Sequence, residues 1–405
     1  MNISRRTILG TAAASATLAA FNPRLNVAFG AATSTANIVV VVFLRGGSDS
    51  LQMAAPAGDQ NYIAARPTIR VTASGQGAGL GLGTLDGVDF YLHPNLTELK
   101  ALYDAKSLAV VHATGIPTED RSHFTCQDIM ERGVADGEPS LGSGWLARHL
   151  NNIGATTSAL SAISTGPTTN TSLLGDAYAA AIADASAFSV KGGDANAKVI
   201  RAIVSAGSTY YETSALKTLD DVTAVQAALR TVESSSSANA GYTNGDLSQP
   251  LRSLAALIKA NVGVTAATVD MGNWDHHQNL VAGYQNRATE LSRSLNAFWT
   301  DLQSVQARLT IVTMTEFGRR LQENANRGLD HGSASVMLAM GAGVNGGRIY
   351  GAWPGLAASQ LHGGDLKVTT DNRQVLAELV VKRHGESSPA TVFPSLKYSP
   401  LGVFS

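Results

Sequence analysis

The stretch "VTAATVDMGNWDHHQNL" (Val264–Leu280) joins an apolar run to a cluster of polar side chains. The run Val264–Met271 predicts a buried strand, because it is short, apolar and rich in β-branched residues. Asp275, His276 and His277 follow directly, in a chain that has only nine histidines. Ligands of α/β proteins bind beyond the carboxyl ends of the strands, where such groups collect. The stretch therefore predicts an α/β fold and places a candidate site at its edge.

Other apolar runs predict further strands of the same sheet, and helical patterns lie between them. The predicted strands are Asn37–Leu44, Ser107–Ala113, Arg308–Thr315 and Ser335–Met340. The predicted helices are Pro94–Ala105, Ser122–Gly133, Gly144–Ile153, Gln278–Val305 and Asp371–His384. Alternation of this kind implies βαβ crossovers. We therefore expect a three-layer α/β/α sandwich around a mostly parallel central sheet.

Two segments interrupt the alternation. Ala73–Gly87 is Gly-rich but has neither the Lys nor the following helix of a phosphate-binding loop, so we expect a flexible loop. Residues 172–260 are Ala-rich and mostly helical in pattern, and the linker Glu233–Asp246 breaks them. We interpret residues 172–260 as a helical insertion in a domain that spans residues 31–405.

Residues 1–30 have the pattern of a twin-arginine export signal. Arg5 and Arg6 precede a mildly apolar stretch, and small residues around Gly30 suit cleavage. The apolar part is shorter than the ~20 residues that a membrane span needs. We therefore expect a periplasmic or secreted protein that is not an integral membrane protein.

The bulk properties exclude some classes of partner and of stabilisation. Cys126 is the only cysteine, so no disulfide can form within the chain, and the 44% of hydrophobic residues must supply a core. The formal net charge is −1, which leaves no electrostatic footprint for a nucleic acid.

Polar clusters also follow the first two predicted strands. Asp49, in "LRGGSDSL", could coordinate a cation or cap the next element. Ser122 stands just before a helical pattern, so it is either an ordinary N-cap or a nucleophile in the positive field of a helix N-terminus. Arg121 beside it could clamp an oxyanion through two hydrogen bonds.

The remaining clusters contain metal-ligand types. Asp and neutral His are ligands that zinc prefers, and the one-residue gap between Asp275 and His277 can turn both toward one ion. Glu316 follows one predicted strand, while Asp330 and His331 precede the next. Because strand ends converge on one crevice, we expect these side chains to share it.

The ordered motifs resemble a known family. The twin-arginine start, "LRGGSDS", "DRSHF..QD.MERG", "NWDHHQN", "TEFGRR..EN" and "GLDHG" are similar to the bacterial family catalogued as domain of unknown function 1501. That family is placed in the alkaline phosphatase-like superfamily, together with sulfatases and phosphopentomutases. The resemblance runs from the signal nearly to the C-terminus and covers the helical insertion least.

The resemblance implies roles for individual residues. Asp49 matches a metal-binding Asp after the first strand, and Ser122 matches the nucleophile. Asp275 matches a metal-binding Asp, with His277 or His276 as its partner. His331, next to Asp330, matches the closing histidine. The implied ligand set Asp275, His277 and His331 is typical of zinc.

One position departs from the superfamily pattern. Glu316-Phe317 stands where an Asp-His pair is expected. A second ion at Asp49 and Glu316 would then have an oxygen-rich site, suited to magnesium, manganese or calcium. His123 or Asp330 could complete that site, or it could be empty.

These features lead to two functional hypotheses. The first is an exported metal-dependent hydrolase of phosphate or sulfate esters, in which Ser122 attacks and Arg121 and the metal bind the anion. His93, in "YLHPNL", could line its pocket or cap a helix. The second is a catalytically inactive, metal-containing protein that binds anionic polysaccharide or cell-envelope material. The expected partner is a small anionic ester or an anionic polysaccharide.

Overall fold

The structure is a computed structural model. It describes residues 36–138, 141–154, 160–176, 179–185, 189–233 and 240–405. The predicted export signal at residues 1–30 lies outside the described residues.

The strands in chain order are β1 (Ile38–Leu44), β2 (Ala54–Ala55), β3 (Leu80–Leu85), β4 (Val88–Leu92), β5 (Leu108–Gly115), β6 (Ala162–Ser164), β7 (Ala179–Ala181), β8 (Ala266–Met271), β9 (Leu309–Met314), β10 (Ser335–Gly341), β11 (Ile349–Tyr350) and β12 (Thr370–Asp371). The α-helices are α1 (Ser50–Met53), α2 (Gln60–Ala65), α3 (Thr97–Asp104), α4 (His123–Arg132), α5 (Trp145–Ile153), α6 (Gly193–Val204), α7 (Tyr210–Glu233), α8 (Ser248–Lys259), α9 (Leu280–Asp301), α10 (Asn372–His384) and α11 (Pro389–Val392). Short 3₁₀ helices cover Thr171–Leu173 and Gln303–Arg308.

The central sheet has nine strands in the order β11-β5-β10-β9-β1-β8-β6-β7, with β12 also paired to β5. β1 is parallel to β8 and β9, and among the described strands of this sheet only β10 runs antiparallel to its neighbours, β9 and β5. The carboxyl ends of β1, β5, β8 and β9 therefore meet at one edge, and β10 begins there. The predicted mostly parallel α/β sheet is confirmed.

Two apolar layers cover the faces of this sheet. Alternate residues of β1 point to opposite faces, as the period of a strand requires. Ile38, Val40, Val42 and Leu44 belong to one core, which includes residues of α3, α8 and α9. Val39, Val41 and Phe43 belong to the other, which includes residues of α4, α5 and α10. Burial on both faces explains why β1 reads as a continuous apolar run rather than an alternating one.

The Gly-rich segment Ala73–Gly87 is not only a loop. It contains β3, which pairs antiparallel with β4 in a small second sheet of order β2-β4-β3. Most of β3 is at least partly exposed, so its side chains carry little of the apolar alternation that predicts a strand. The strand is defined instead by its backbone hydrogen bonds to β4.

The span 172–260 contains α6, α7 and α8. It also contains the short strand β7, which pairs with β6 at the end of the central sheet. None of the helices in the described part of the chain combines the length and the hydrophobicity that crossing a bilayer requires.

Candidate metal centre

The shared edge of β1, β5, β8 and β9 brings the polar clusters together. The loop after β1 lies against the stretch after β8, because Gly46 has no side chain and adopts a φ of +115°. A Cβ there would lie 2.7 Å from the backbone nitrogen of Asp275. This close approach, which only glycine permits, sets the position of the Asp275 backbone relative to β1.

Three imidazoles surround the carboxylate of Asp275, and we call the four residues the Asp275 cluster. The Nε2 atom of His123 lies 3.5 Å from Oδ2 of Asp275. The Nε2 atoms of His277 and His331 lie 3.0 Å and 3.4 Å, respectively, from Oδ1 of Asp275. The Nε2 atoms of His277 and His331 are 3.0 Å apart. Ligand atoms of His123, Asp275 and His331 all lie within 4.8 Å of one another. These residues could hold a metal ion.

The chemistry of the imidazoles fits a cation. Each has an oxygen at its Nδ1: Glu316 at 2.7 Å from His123, Asp330 at 3.3 Å from His277, and the carbonyl of Arg121 at 2.8 Å from His331. Carbonyl and ionised carboxylate oxygens only accept hydrogen bonds, so each Nδ1 must carry the proton that it donates. In a neutral ring, Nε2 then has a free lone pair. Acceptors of this kind orient metal-binding histidines.

The Nε2 atoms of His277 and His331 then face each other and the Asp275 carboxylate, and Nη1 of Arg319 lies 3.5 Å from Nε2 of His277. Nε2 of His123 is buried and has no hydrogen-bond partner. Buried polar atoms without partners are costly, and facing lone pairs repel. A positive ion among these atoms would remove both penalties.

Arg319 holds Asp275 in place. Its guanidinium is almost fully buried and donates to Oδ1 of Asp275 at 2.6 Å, to the carbonyls of Gly47 (2.7 Å) and Leu329 (3.1 Å), and to the carbonyl of Gly46. Burial raises the pKa of Asp275, but the hydrogen bond and charge of Arg319 outweigh this and lower it overall. Asp275 is therefore ionised, with Oδ1 bound to Arg319.

Glu316 lies behind His123. Besides His123, it accepts hydrogen bonds from the side chain of Gln127 and the backbone of Gly46, both at 2.8 Å. Burial raises the pKa of Glu316, yet the hydrogen bonds of His123 and Gln127 lower it overall. The same bond raises the pKa of His123. Glu316 thus orients a candidate ligand rather than facing the cluster itself.

The structure does not bring Asp49 to the cluster, which corrects the expectation of a second ion there. Both of its carboxylate oxygens bind the fully buried guanidinium of Arg66, at 2.5 and 3.0 Å. Glu316, its expected partner, is satisfied by protein donors. The ring of Phe317 packs on His123 and His331, with centroid distances of 4.8 and 4.7 Å. Apolar packing occupies the position where a second set of ligands was expected.

The guanidinium of Arg121 is likewise committed elsewhere, which corrects its expected role as an anion clamp. It makes five hydrogen bonds, to Asp365 (two), Ser333 and the carbonyls of Thr118 and Asp120. A guanidinium has five N–H donors, so none is left for an oxyanion.

Ser122 is the exposed N-cap residue of α4, and its side chain makes no capping hydrogen bond. Both of its neighbours in the chain contact the cluster: the carbonyl of Arg121 accepts from His331, and His123 is a member. Ser122 therefore lies beside the cluster with a hydroxyl that the helix does not use.

The other candidate residues occupy different positions. His276 turns away from the cluster and packs near Tyr284 and Trp274, with centroid distances of 5.9 and 6.4 Å, and burial lowers its pKa. Asp330 contacts His277 from behind. His93 is buried against Tyr284 before α3, and burial lowers its pKa to about 4. His93 and His276 lie outside the cluster.

The sequence interpretation did not single out Arg319 and gave His123 only a supporting role. Both belong to quoted motifs, "TEFGRR" and "DRSHF". The sequence alone does not show which of two adjacent arginines is buried. It also does not show that a hydrogen bond to Glu316 would direct Nε2 of His123 toward Asp275.

Comparisons with solved structures give only distant similarity. The C-terminal periplasmic domain of EcEptC from Escherichia coli, in complex with Zn, is 8% identical, covers 77% of this chain and 74% of its own, and has a TM-score of 0.35. The alkaline phosphatase from the Antarctic bacterium TAB5 is 12% identical, covers 76% of this chain and 92% of its own, and has a TM-score of 0.29. No curated protein matches the chain in sequence.

A family model gives the clearest relationship. The model described as "Protein of unknown function (DUF1501)" matches residues 107–379, which include every member of the Asp275 cluster. Because this match spans more than half of the chain, the chain belongs to the DUF1501 family.

Proposed function

We propose that the protein is an exported, metal-dependent hydrolase of phosphate or sulfate esters. The observation that carries the proposal is the convergence of three imidazole Nε2 atoms on the Asp275 carboxylate, with each Nδ1 held by an oxygen. Nitrogen and carboxylate ligands of this kind suit zinc. Asp275 and the three imidazoles of the cluster would hold the ion.

A divalent cation at this place supplies charge neutralisation for the anionic group and lowers the pKa of a hydroxyl that it contacts. We assign the role of nucleophile to Ser122, because it directly precedes His123 and its exposed side chain makes no capping hydrogen bond. Its Oγ would form a bond to phosphorus or sulfur while the ester bond to the alcohol breaks. Water would then displace the serine oxygen and release phosphate or sulfate.

The experiment combines metal analysis with two probes, p-nitrophenyl phosphate and p-nitrophenyl sulfate. We expect purified protein to carry zinc, to hydrolyse one of the probes, and to lose that activity on chelation until zinc is restored. Ser122→Ala should lower kcat at least 100-fold and keep its zinc, because it removes the nucleophile alone. Thr125→Ala, at another exposed position of α4, is the matched control and should leave kcat unchanged. Activity that survives chelation, or full activity in Ser122→Ala, would overturn the proposal.

A second candidate, a metal-containing binding protein without catalysis, is favoured by one observation. Asp49 is bound by Arg66 and Phe317 packs on two of the imidazoles, so the described residues build one candidate ion site rather than two. Zinc content with no hydrolysis of either probe, together with binding of an anionic polysaccharide, would select this candidate.

Export is the remaining part of the proposal. It rests on Arg5 and Arg6 and the small residues that follow. Replacing both arginines with lysine should leave the precursor inside the cell, detected by fractionation. Unchanged export of that variant would refute twin-arginine transport.

A further inference from the structure

Two polar residues of α4 follow His123 on the same face of the helix. Gln127 lies one turn after it and Glu131 one turn further. Arg45, the first residue after β1, contacts Gln127 at 3.0 Å and Glu131 at 2.5 Å, and its Nε pairs with Asp270 of β8 at 2.9 Å. The guanidinium therefore joins α4 to β1 and β8. These residues belong largely to the quoted motifs "LRGGSDS" and "DRSHF..QD.MERG", yet none of them is a member of the Asp275 cluster.

The side-chain amide of Gln127 has a fixed orientation. An arginine only donates hydrogen bonds, so the atom of Gln127 that faces Arg45 is the carbonyl oxygen. The amide nitrogen then faces Glu316 and donates to its Oε1 at 2.8 Å. A flipped amide would place donor against donor at Arg45 and acceptor against acceptor at Glu316. Both neighbours therefore require the same orientation.

Gln127 is one of three donors that fix the carboxylate of Glu316. This side chain is 0% exposed, and its Oε1 accepts from the backbone of Gly46 (2.8 Å), from Gln127 (2.8 Å) and from Nδ1 of His123 (2.7 Å). His123 is itself a candidate ligand, so Gln127 is the side chain that holds Oε1 independently of the cluster. A buried carboxylate that loses a donor keeps the cost of its desolvation. We expect it to move toward other donors and to fix Nδ1 of His123 less well.

We propose that Gln127 and Arg45 are positioning residues for the metal centre. Arg45 holds the amide of Gln127, and Gln127 holds Oε1 of Glu316. Glu316 in turn keeps Nε2 of His123 directed toward Asp275. The inference rests on the metal centre of the proposed function, but it does not depend on ester hydrolysis.

The first test measures zinc affinity by competition with a chelator of known affinity. Gln127→Met keeps an unbranched side chain and removes both polar atoms of the amide. It should raise the Kd about tenfold, at the low end of the ~10–100-fold effect of a group that orients a ligand. Asp128→Asn, at the next position of α4, is the matched control and should keep the wild-type Kd, because Asp128 pairs with Arg132. An unchanged Kd in Gln127→Met would overturn the inference.

A double-mutant cycle separates positioning from a general loss of stability. If Gln127 acts through Glu316, Gln127→Met should change the Kd less than about twofold in a Glu316→Ala background. Arg45→Met should raise the Kd of the wild type and have no further effect in a Gln127→Met background. A tenfold effect of Gln127→Met in both backgrounds would mean that it does not act through Glu316, contrary to the inference.

Nitrogen NMR of the imidazoles in zinc-free protein supplies a signature that needs no ion. At alkaline pH, where an imidazole is neutral, His123 of the wild type should carry its proton on Nδ1. Gln127→Met should show a mixture of the two tautomers. The signal of His123 is identified by its loss in His123→Gln. If the tautomer is the same in Gln127→Met and the wild type, the inference fails, and this measurement decides if Glu316→Ala does not fold.

The same readouts distinguish this inference from the proposed function. If the wild type binds zinc and hydrolyses a probe, but Gln127→Met changes neither the Kd nor the tautomer, the positioning inference fails alone. If the wild type binds no zinc, the proposed function fails. The tautomer in Gln127→Met then decides whether Gln127 positions His123.

Discussion

Among the described residues, the histidines of the Asp275 cluster and those around Glu386 form two groups beside carboxylates, and the two groups differ in geometry. In the Asp275 cluster, imidazole side chains that are 23–45% exposed point Nε2 at one carboxylate. In the second group, Nδ1 of His149 contacts Glu386 at 3.0 Å, and the ring of His384 lies 5.3 Å away. Both groups share the contact between Nδ1 and a carboxylate. Only the first, within the described residues, gathers three or more ligand atoms around one point.

Their places in the fold explain the difference. The Asp275 cluster lies at the carboxyl edge of the sheet, whereas His384 ends α10 next to Arg383, whose carbonyl binds Asn37 just before β1. Burial lowers the pKa of His149, and it lowers that of His384 to about 3. The second group is therefore a neutral part of the packed interior. A histidine beside a carboxylate indicates a metal site only when Nε2 also converges with other ligands and solvent can reach it.

Loss of a ligand gives the sharpest contrast. Asp275→Asn and His331→Ala should each weaken zinc binding more than 100-fold, because a direct ligand contributes more than the ~10–100-fold of an orienting group. His149→Gln should bind zinc like the wild type. Zinc per chain after dialysis measures the effect. If both variants of the Asp275 cluster retained zinc, the cluster would not be the zinc site, and the two groups of histidines would not differ in zinc binding.

The adjacent residues His276 and His277 allow the same comparison between a histidine inside the cluster and one outside it. His277→Ala should lose zinc, whereas His276→Ala should keep it, since His277 contacts Asp275 and His276 packs on Tyr284. Metal analysis of the two variants side by side measures this. The reverse order would assign the site to His276, and retention by both would remove the stretch from the site.

Glu316 contacts Nδ1 of His123 and Glu386 contacts Nδ1 of His149, so these two carboxylates form a matched pair. We expect their replacement to change zinc affinity less than the loss of a direct ligand. Glu316→Gln should weaken zinc affinity about 10–100-fold, because it removes the charged acceptor that orients His123. Glu386→Gln, the equivalent change at His149, should leave zinc affinity unchanged. Competition with a chelator of known affinity measures both. Equal affinities for the two variants would contradict the orienting role of Glu316.

The buried pair should make the protein sensitive to acid. Because the folded-state pKa of His384 is below the ordinary ~6.5, the unfolded chain binds the proton more readily. The stabilising effect of the neutral ring is complete above pH ~6.5 and is lost as pH falls toward 3, by up to about 1.4 kcal/mol per pH unit. Urea unfolding at pH 7.5 and pH 5 should show a smaller difference for His384→Leu than for the wild type. An identical difference would mean that His384 does not titrate on unfolding.

The strands were predictable because most of their residues are buried and apolar. Ile38–Leu44 and Leu309–Met314 differ from their predicted bounds by only one residue at an end, since a run of β-branched residues stands out between polar neighbours. The direction in which a strand runs could not be predicted in the same way. The apolar residues of β10 are the same whether it runs parallel or antiparallel, so its reversal followed only from the pairing.

The strand ends also located the candidate site, but not the partners of its charged groups. Arg121 binds Asp365, which is 244 positions away in sequence, and Asp49 binds Arg66. Patterns within one stretch report local geometry, whereas such pairings depend on how distant loops pack. For this reason the expected clamp at Arg121 and the expected second ion at Asp49 could not be tested before the fold was known.

The four members of the Asp275 cluster come from three separate parts of the chain, at residues 123, 275–277 and 331. An unfolded chain therefore does not hold these groups together, and an ion that the cluster binds stabilises the folded state alone. By mass action, a free zinc concentration 1,000 times the Kd would add about 4 kcal/mol to the free energy of unfolding. The lifetime of the folded protein would then follow the zinc supply of its compartment, even when no substrate is present.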